Sequence, residues 1–223
     1  MNLIDSYQCV LPSVCLVTDD PYRVKMIAAH YLDNVKIFTE TRGQVGLIGK
    51  FDDVPLIVLS SGIGKISTMA YVTELCSNNQ MKRMIYFGDC ITRDASLPVG
   101  SIMYINKAYE NENCYYASEN LLHNTEIIKS EDNIKAFQCA TTTDDNYLHD
   151  KKYMINQESK VLDFTTSAIY GLNEIYGDIE TLSILNVCEN ISTKETIGEA
   201  IRQSGLHEGI RLALRAVIFG VDI

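Results

Sequence analysis

The stretch LVTDDPYR, Leu16–Arg23, decides how this chain folds. It continues a β-branched apolar run that begins at Val14 and leads into Pro21–Leu32, where apolar residues recur at helical spacing. A strand that ends in a short polar turn and passes into a proline-started helix is the repeating unit of an α/β sheet. Backbone N–H groups at such a helix start attract anions, and Arg23 in the first turn adds a cation. Asp19 and Asp20 oppose this. Two carboxylates in the same turn repel an anion, and Asp19 is expected either to pair with Arg23 or to cap the helix.

Apolar runs alternate with helical patterns along the rest of the chain, the mark of a largely parallel α/β sheet. Strands are expected at Val14–Val17, Val45–Lys50, Val54–Ser60, Arg83–Gly88, Ser101–Ile105, Ala136–Thr141 and Thr181–Val187. Helices are expected at Pro21–Leu32, Gly64–Cys76, Thr165–Tyr176 and Thr193–Ile218. The last carries Ser192-x-x-Glu195, which reads as a capping box. Tyr109–Asn133 is polar and gives no definite assignment. With 223 residues, 46% of them hydrophobic, the chain is long enough for one full core. There is no low-complexity linker or repeat, so 1–223 is read as a single domain.

A net charge of −10 without a Lys/Arg cluster makes nucleic acid and anionic membranes poor partners. No apolar run approaches the length of a membrane span, and the first residues lack a basic leader, so neither a transmembrane helix nor a signal peptide is expected. The seven cysteines are odd in number, scattered and without a C-x-x-C pair. They read as buried free thiols in a reducing, cytoplasmic setting, with no zinc or other metal site and no cofactor. His30, His123, His149 and His207 fall outside every motif, and no Ser/His/Asp or Cys/His signature is present.

Seven short strings occur in the order characteristic of one superfamily. They are Asp20-Pro21-Tyr22-Arg23, Thr41-Arg42-Gly43-Gln44-Val45-Gly46, Ser61-Gly62-Ile63-Gly64-Lys65, Tyr86-Phe87-Gly88-Asp89-Cys90, Thr143-Asp144-Asp145-Asn146-Tyr147, Asp163 through Gly171, and Val187-Cys188-Glu189-Asn190. In this the chain resembles the nucleoside phosphorylases and nucleosidases over nearly its whole length. Ser-Gly-Ile-Gly-Lys is similar to the hydrolytic branch, while Arg42-Gly43 and the length are closer to the hexameric purine nucleoside and uridine phosphorylases. The resemblance implies a single-domain α/β fold with a mixed central β-sheet flanked by helices. It also implies a nucleoside or related small-molecule ligand and a homo-oligomer built from dimers, up to a hexamer.

The same resemblance assigns roles and shows where they are altered. Arg23 and Arg42 match phosphate-binding arginines, the latter reaching a neighbouring subunit's site. The glycine of the phosphate loop is Asp19, a further arginine is Tyr86, and a hydroxyl residue is Asp89. At the ribose site, Asp163, Phe164 and Thr165 replace a Glu-Met-Glu pattern, and Asp163 or Thr165 alternatively caps the following helix. At the base site, Ile91 takes a glycine's place and is expected to narrow the pocket. Asn146 replaces a stacking aromatic, with Tyr147 beside it. Glu189 aligns with the acid that protonates the leaving base and is the candidate catalytic residue. All three subsites depart from the pattern, which implies a divergent member without standard phosphorolysis. The alternative is an active purine nucleoside phosphorylase or nucleosidase with Glu189 as general acid, and the shape of the pocket discriminates between them.

Overall fold

The structure, a computed structural model, describes residues 3–4, 10–144, 156–198, 201–202 and 206–221. The first half runs β1 (Val14–Thr18), α1 (Pro21–Tyr31), β2 (Asp33–Thr41), β3 (Gln44–Phe51), β4 (Val54–Ser60), α2 (Lys65–Asn78) and β5 (Arg83–Thr92). The second runs β6 (Ile102–Glu110), β7 (Asn113–Tyr116), α3 (Glu119–Glu131), β8 (Ala136–Thr143), β9 (Ser159–Asp163), α4 (Thr166–Tyr176), β10 (Glu180–Asn190), β11 (Glu195–Thr196) and α5 (His207–Ile218).

The eleven strands among the described residues belong to one sheet, and part of it closes on itself. Strand β10 pairs with β6 on one side and β5 on the other, while β6, β8, β9 and β5 complete the ring. From β5 the sheet continues outward through β1, β4 and β3 to the edge strand β2. The expectation of a largely parallel sheet is corrected: β2–β3, β3–β4, β5–β9, β6–β7, β6–β10 and β10–β11 are antiparallel. The central trio β1, β5 and β10 is parallel. Its carboxyl ends therefore lie together, where α/β sheets gather ligand-binding side chains.

Element boundaries also differ from the sequence expectation. Thr193–Ile218 is not one helix: Glu195–Thr196 forms β11 against β10, and α5 starts at His207. The capping box does not form, because Asn190 Oδ1 accepts from the backbone N–H groups of Ser192 and Thr193 and holds them in a turn. Strands β5 and β10 run on past Gly88 and Val187, to Thr92 and Asn190. Strands β2, β7 and β9 were not anticipated. Helix α3 lies within the unassigned polar stretch, burying Leu121, Thr125 and Ile128 at i, i+4 and i+7.

Arg83 ties the far end of the sheet to α5. Its Nη1 donates to the carbonyls of Ala216, Val217 and Phe219 at 3.4, 3.2 and 2.7 Å, which caps the helix C-terminus. Nε and Nη2 both reach Glu180 Oε2, at 2.9 and 2.7 Å. Replacing this buried guanidinium strips carbonyls and a carboxylate of their donors. Arg83→Leu is expected to lower unfolding stability by about 3 kcal/mol in urea titrations; a loss below about 0.5 kcal/mol would show the clamp to be idle.

Candidate active site

The site is assembled where β1, β5 and β10 end. β1 delivers Asp19, and Asp20 accepts from Tyr22 N at 2.7 Å to cap α1, whose first turn carries Arg23. Arg23 is 1% exposed, so its charge needs partners. Nη1 donates to Asp19 Oδ1 at 3.1 Å and to Thr18 Oγ1 at 3.3 Å. Nη2 donates to both oxygens of Asp89 and to the Arg202 carbonyl, each at 3.2 Å. The Phe87 ring lies beneath, its centre 5.3 Å from the guanidinium carbon. Arg202 Nε in turn stands 3.6 Å from Asp89 Oδ2. The result is a chain of alternating charges.

Burial dominates the titration of these groups. It pushes the Asp19 carboxyl up to about 6, opposed by Arg23 and reinforced by the nearby Asp89. Arg23 is held above its usual value: burial works against its charge, but Asp89 and Asp19 outweigh it. Burial also drives the Tyr86 hydroxyl well above 10, so it stays neutral. Tyr86 folds over Gly88, where a Cβ would collide with its ring.

Two cavities meet at this network. A polar lobe of about 650 Å³ is lined by Asp19, Asp20, Arg23, Gln44, Asp89 and Arg202, among others. An apolar lobe of about 340 Å³ is walled by Ile91, Leu162, Phe164, Cys90 and Cys188, with Glu189 and Thr165 also facing it. Asp19, Ile63, Asp89 and Arg202 line both, so the lobes form one cleft. Ile91 packs against Leu162 and Cys188, yet the chamber stays open. A register shift in β10 between Val187 and Glu189 inserts Cys188 as an extra residue. Such a bulge re-aims the strand end, and here Glu189 lines the chamber. Burial pushes the Cys188 thiol up to about 12, which keeps it from acting as a nucleophile.

Asp163 does not line either lobe. It is 1% exposed, and its carboxylate serves the fold. Oδ2 accepts from Thr165 N, Thr166 N and Thr166 Oγ1 at 2.9, 2.7 and 2.8 Å, capping α4, while Oδ1 accepts from Thr141 and Thr143. Thr165 Oγ1 is buried beside the Tyr86 hydroxyl, its side-chain hydrogen-bonding neighbour. Arg42 is also away from the cleft: with φ of 55° beside Gly43 at 79°, it forms the exposed apex of the β2–β3 hairpin. Asn146 and Tyr147 lie outside the described residues. Sequence reasoning missed Arg202 and Gln44. Arg202 sat inside the stretch read as one long helix. Gln44 reaches the cleft from the first position of β3, which no local pattern announces.

The comparisons agree with this architecture. The phosphorylase superfamily profile matches residues 13–142, more than half of the chain. The chain belongs to the phosphorylase superfamily. It is similar to the DeoD-type purine nucleoside phosphorylase of Buchnera aphidicola subsp. Acyrthosiphon pisum (strain Tuc7), with 28% identity over 96% of this chain and 98% of that one. The DeoD-type enzyme of Bacillus velezensis is 30% identical, over 91% of this chain and 93% of its own length. The crystal structure of purine nucleoside phosphorylase from Toxoplasma gondii in complex with immucillin-H superposes with a TM-score of 0.82. That likeness covers 93% of this chain and 90% of that one at 19% identity, and it concerns the fold.

The Asp19 titration yields a signed prediction. A carboxyl whose folded value lies above its unfolded one binds the proton more tightly when folded, so stability is lost as pH rises from about 4 to about 6. Asp19→Asn removes this proton uptake. Its stability is expected to vary less over that interval than the wild type's, by up to about 3 kcal/mol. Parallel pH-dependent denaturant titrations read the difference, and superimposable curves would contradict it.

Proposed function

We propose that this protein is a divergent nucleoside phosphorylase-fold protein that binds a nucleoside or related small molecule and does not carry out phosphate-dependent cleavage. The observation carrying this reading is the enclosure of Arg23 by Asp19 and Asp89. A phosphate would have to displace a carboxylate or lie against one. At an effective dielectric of about 20, one like-charge contact at ~4 Å costs roughly 4 kcal/mol, enough to cancel a modest anion affinity. Thr165 cannot offer the sugar a charged acceptor, and the Asp163 carboxylate is already used in capping α4. A homo-oligomer built from dimers and a cytoplasmic location are part of the proposal. The exposed Arg42 hairpin favours the first, and the free, buried cysteines Cys15, Cys76, Cys90, Cys139 and Cys188 are in keeping with the second.

One observation favours a second reading, an N-glycosidase. The apolar lobe remains open with Glu189 on its wall, placed to protonate a leaving base.

Release of free base from inosine, adenosine and uridine, with and without phosphate, tests both. The proposed function predicts no phosphate-dependent release. Release that requires phosphate and falls by about 100-fold in Glu189→Gln would overturn it in favour of phosphorolysis. Release without phosphate that is lost in the same variant would establish the hydrolytic reading instead.

A further inference from the structure

Asp19 grips Arg23 less firmly than Asp89 does. It accepts from Nη1 through one oxygen at 3.1 Å, whereas Asp89 meets Nη2 with both oxygens at 3.2 Å and has Arg202 Nε 3.6 Å away. Even with both carboxylates in place, the Nε groups of Arg23 and Arg202 are buried N–H donors without an acceptor. The polar lobe is thus a cluster of guanidinium donors closed off by the protein's own carboxylates, and Asp19 holds the weaker of the two closures. Asp19 also lines both lobes, so a change in its charge reaches whatever enters the cleft.

The surroundings of Asp19 set that charge. Arg23 and Asp20 stand beside it at the start of α1, Asp89 and Tyr86 come from β5, and Glu189 of β10 and Arg202 share the cleft lining, where Gln44 of β3 is neutral. Burial favours the protonated carboxyl; Arg23 opposes this, while Asp89 and Asp20 reinforce it. With Asp19 ionised, the lobe sets three carboxylates against two guanidinium groups. Protonation cancels that excess and takes the charged acceptor from Nη1, while Asp89 still pairs the buried cation at Nη2. We propose that Asp19 is a proton-operated gate on Arg23: ionised, it keeps oxyanions out of the polar lobe, and protonated, it yields Nη1 to a tetrahedral oxyanion. The inference rests on the reading that ionised Asp19 and Asp89 exclude phosphate, and adds the condition that lifts the exclusion.

Sulfate is the probe, because it stays a dianion across the interval and any pH dependence of its binding belongs to the protein. Calorimetric titrations at about pH 5 and about pH 7.5, at one ionic strength, read its affinity. With the Asp19 carboxyl titrating at about 6, the protonated form makes up about nine-tenths of molecules at the lower pH and about a thirtieth at the higher, so sulfate is expected to bind about 30-fold more tightly in acid. Asp19→Asn is expected to bind sulfate almost equally at both, which a general loss of negative charge in acid would not produce. Because that variant can fail to fold, wild-type titrations at about pH 6.5 in two buffers of different ionisation enthalpy give an independent reading. Binding there is expected to take up about three-quarters of a proton per sulfate. No sulfate binding in acid, or a pH dependence that persists in Asp19→Asn, would overturn the gate and leave the exclusion of phosphate standing. Equal sulfate affinity at both pH values, without proton uptake, would overturn the exclusion reading as well.

Discussion

The Arg23 guanidinium, shut in by Asp19 and Asp89, is the constraint on which the candidate site depends. A buried cation must be paired, and both terminal nitrogens of this one are engaged by carboxylates of the same protein, with only Nε left without an acceptor. The pairing needs three separate elements to converge. β1 brings Asp19, β5 brings Asp89, and α1 brings Arg23, with Phe87 as the floor. Because β1 and β5 are parallel neighbours, their carboxyl ends deliver Asp19 to Nη1 and Asp89 to Nη2 of the same arginine. On the proposed reading, the protein's own carboxylates take the place of an anion at this arginine.

The remainder of the cleft is only partly closed. Tyr86 covers Gly88 and Asp163 is drawn into capping α4, so polar contacts that could have met a sugar are used internally. The apolar lobe persists nonetheless, and the β10 bulge sets Glu189 on its wall. A cavity of this kind leaves apolar surface hydrated, which costs stability unless a ligand covers it. The paired Arg23 and the open apolar chamber together support the proposal of retained binding over collapse of the whole pocket.

Most of the fold was legible in the sequence because β-branched runs flanked by glycine and proline mark central strands clearly. Val54–Ser60 and the Pro21 helix start appear where the pattern places them. The edge strand β2 was not legible: its DNVKIFTET leaves mostly exposed positions, so its alternation has no buried face to betray it. The C-terminal helix was overextended because Ser192-x-x-Glu195 satisfies the letter pattern of a cap, while Asn190 offers the backbone a competing turn. In the site, the Asp19–Arg23 pair followed from an i, i+4 spacing on a helix start. Asp89 joining it, and Arg202 arriving from a distant segment, depend on strand register and chain return, which no local spacing encodes.

The most direct measurement is a crystal structure of the protein equilibrated with a high concentration of inorganic phosphate. The account predicts that Arg23 stays bound to Asp19 and Asp89 and that no ordered phosphate lies within hydrogen-bonding distance of its guanidinium. A phosphate seated on Arg23, with either aspartate swung aside, would contradict it.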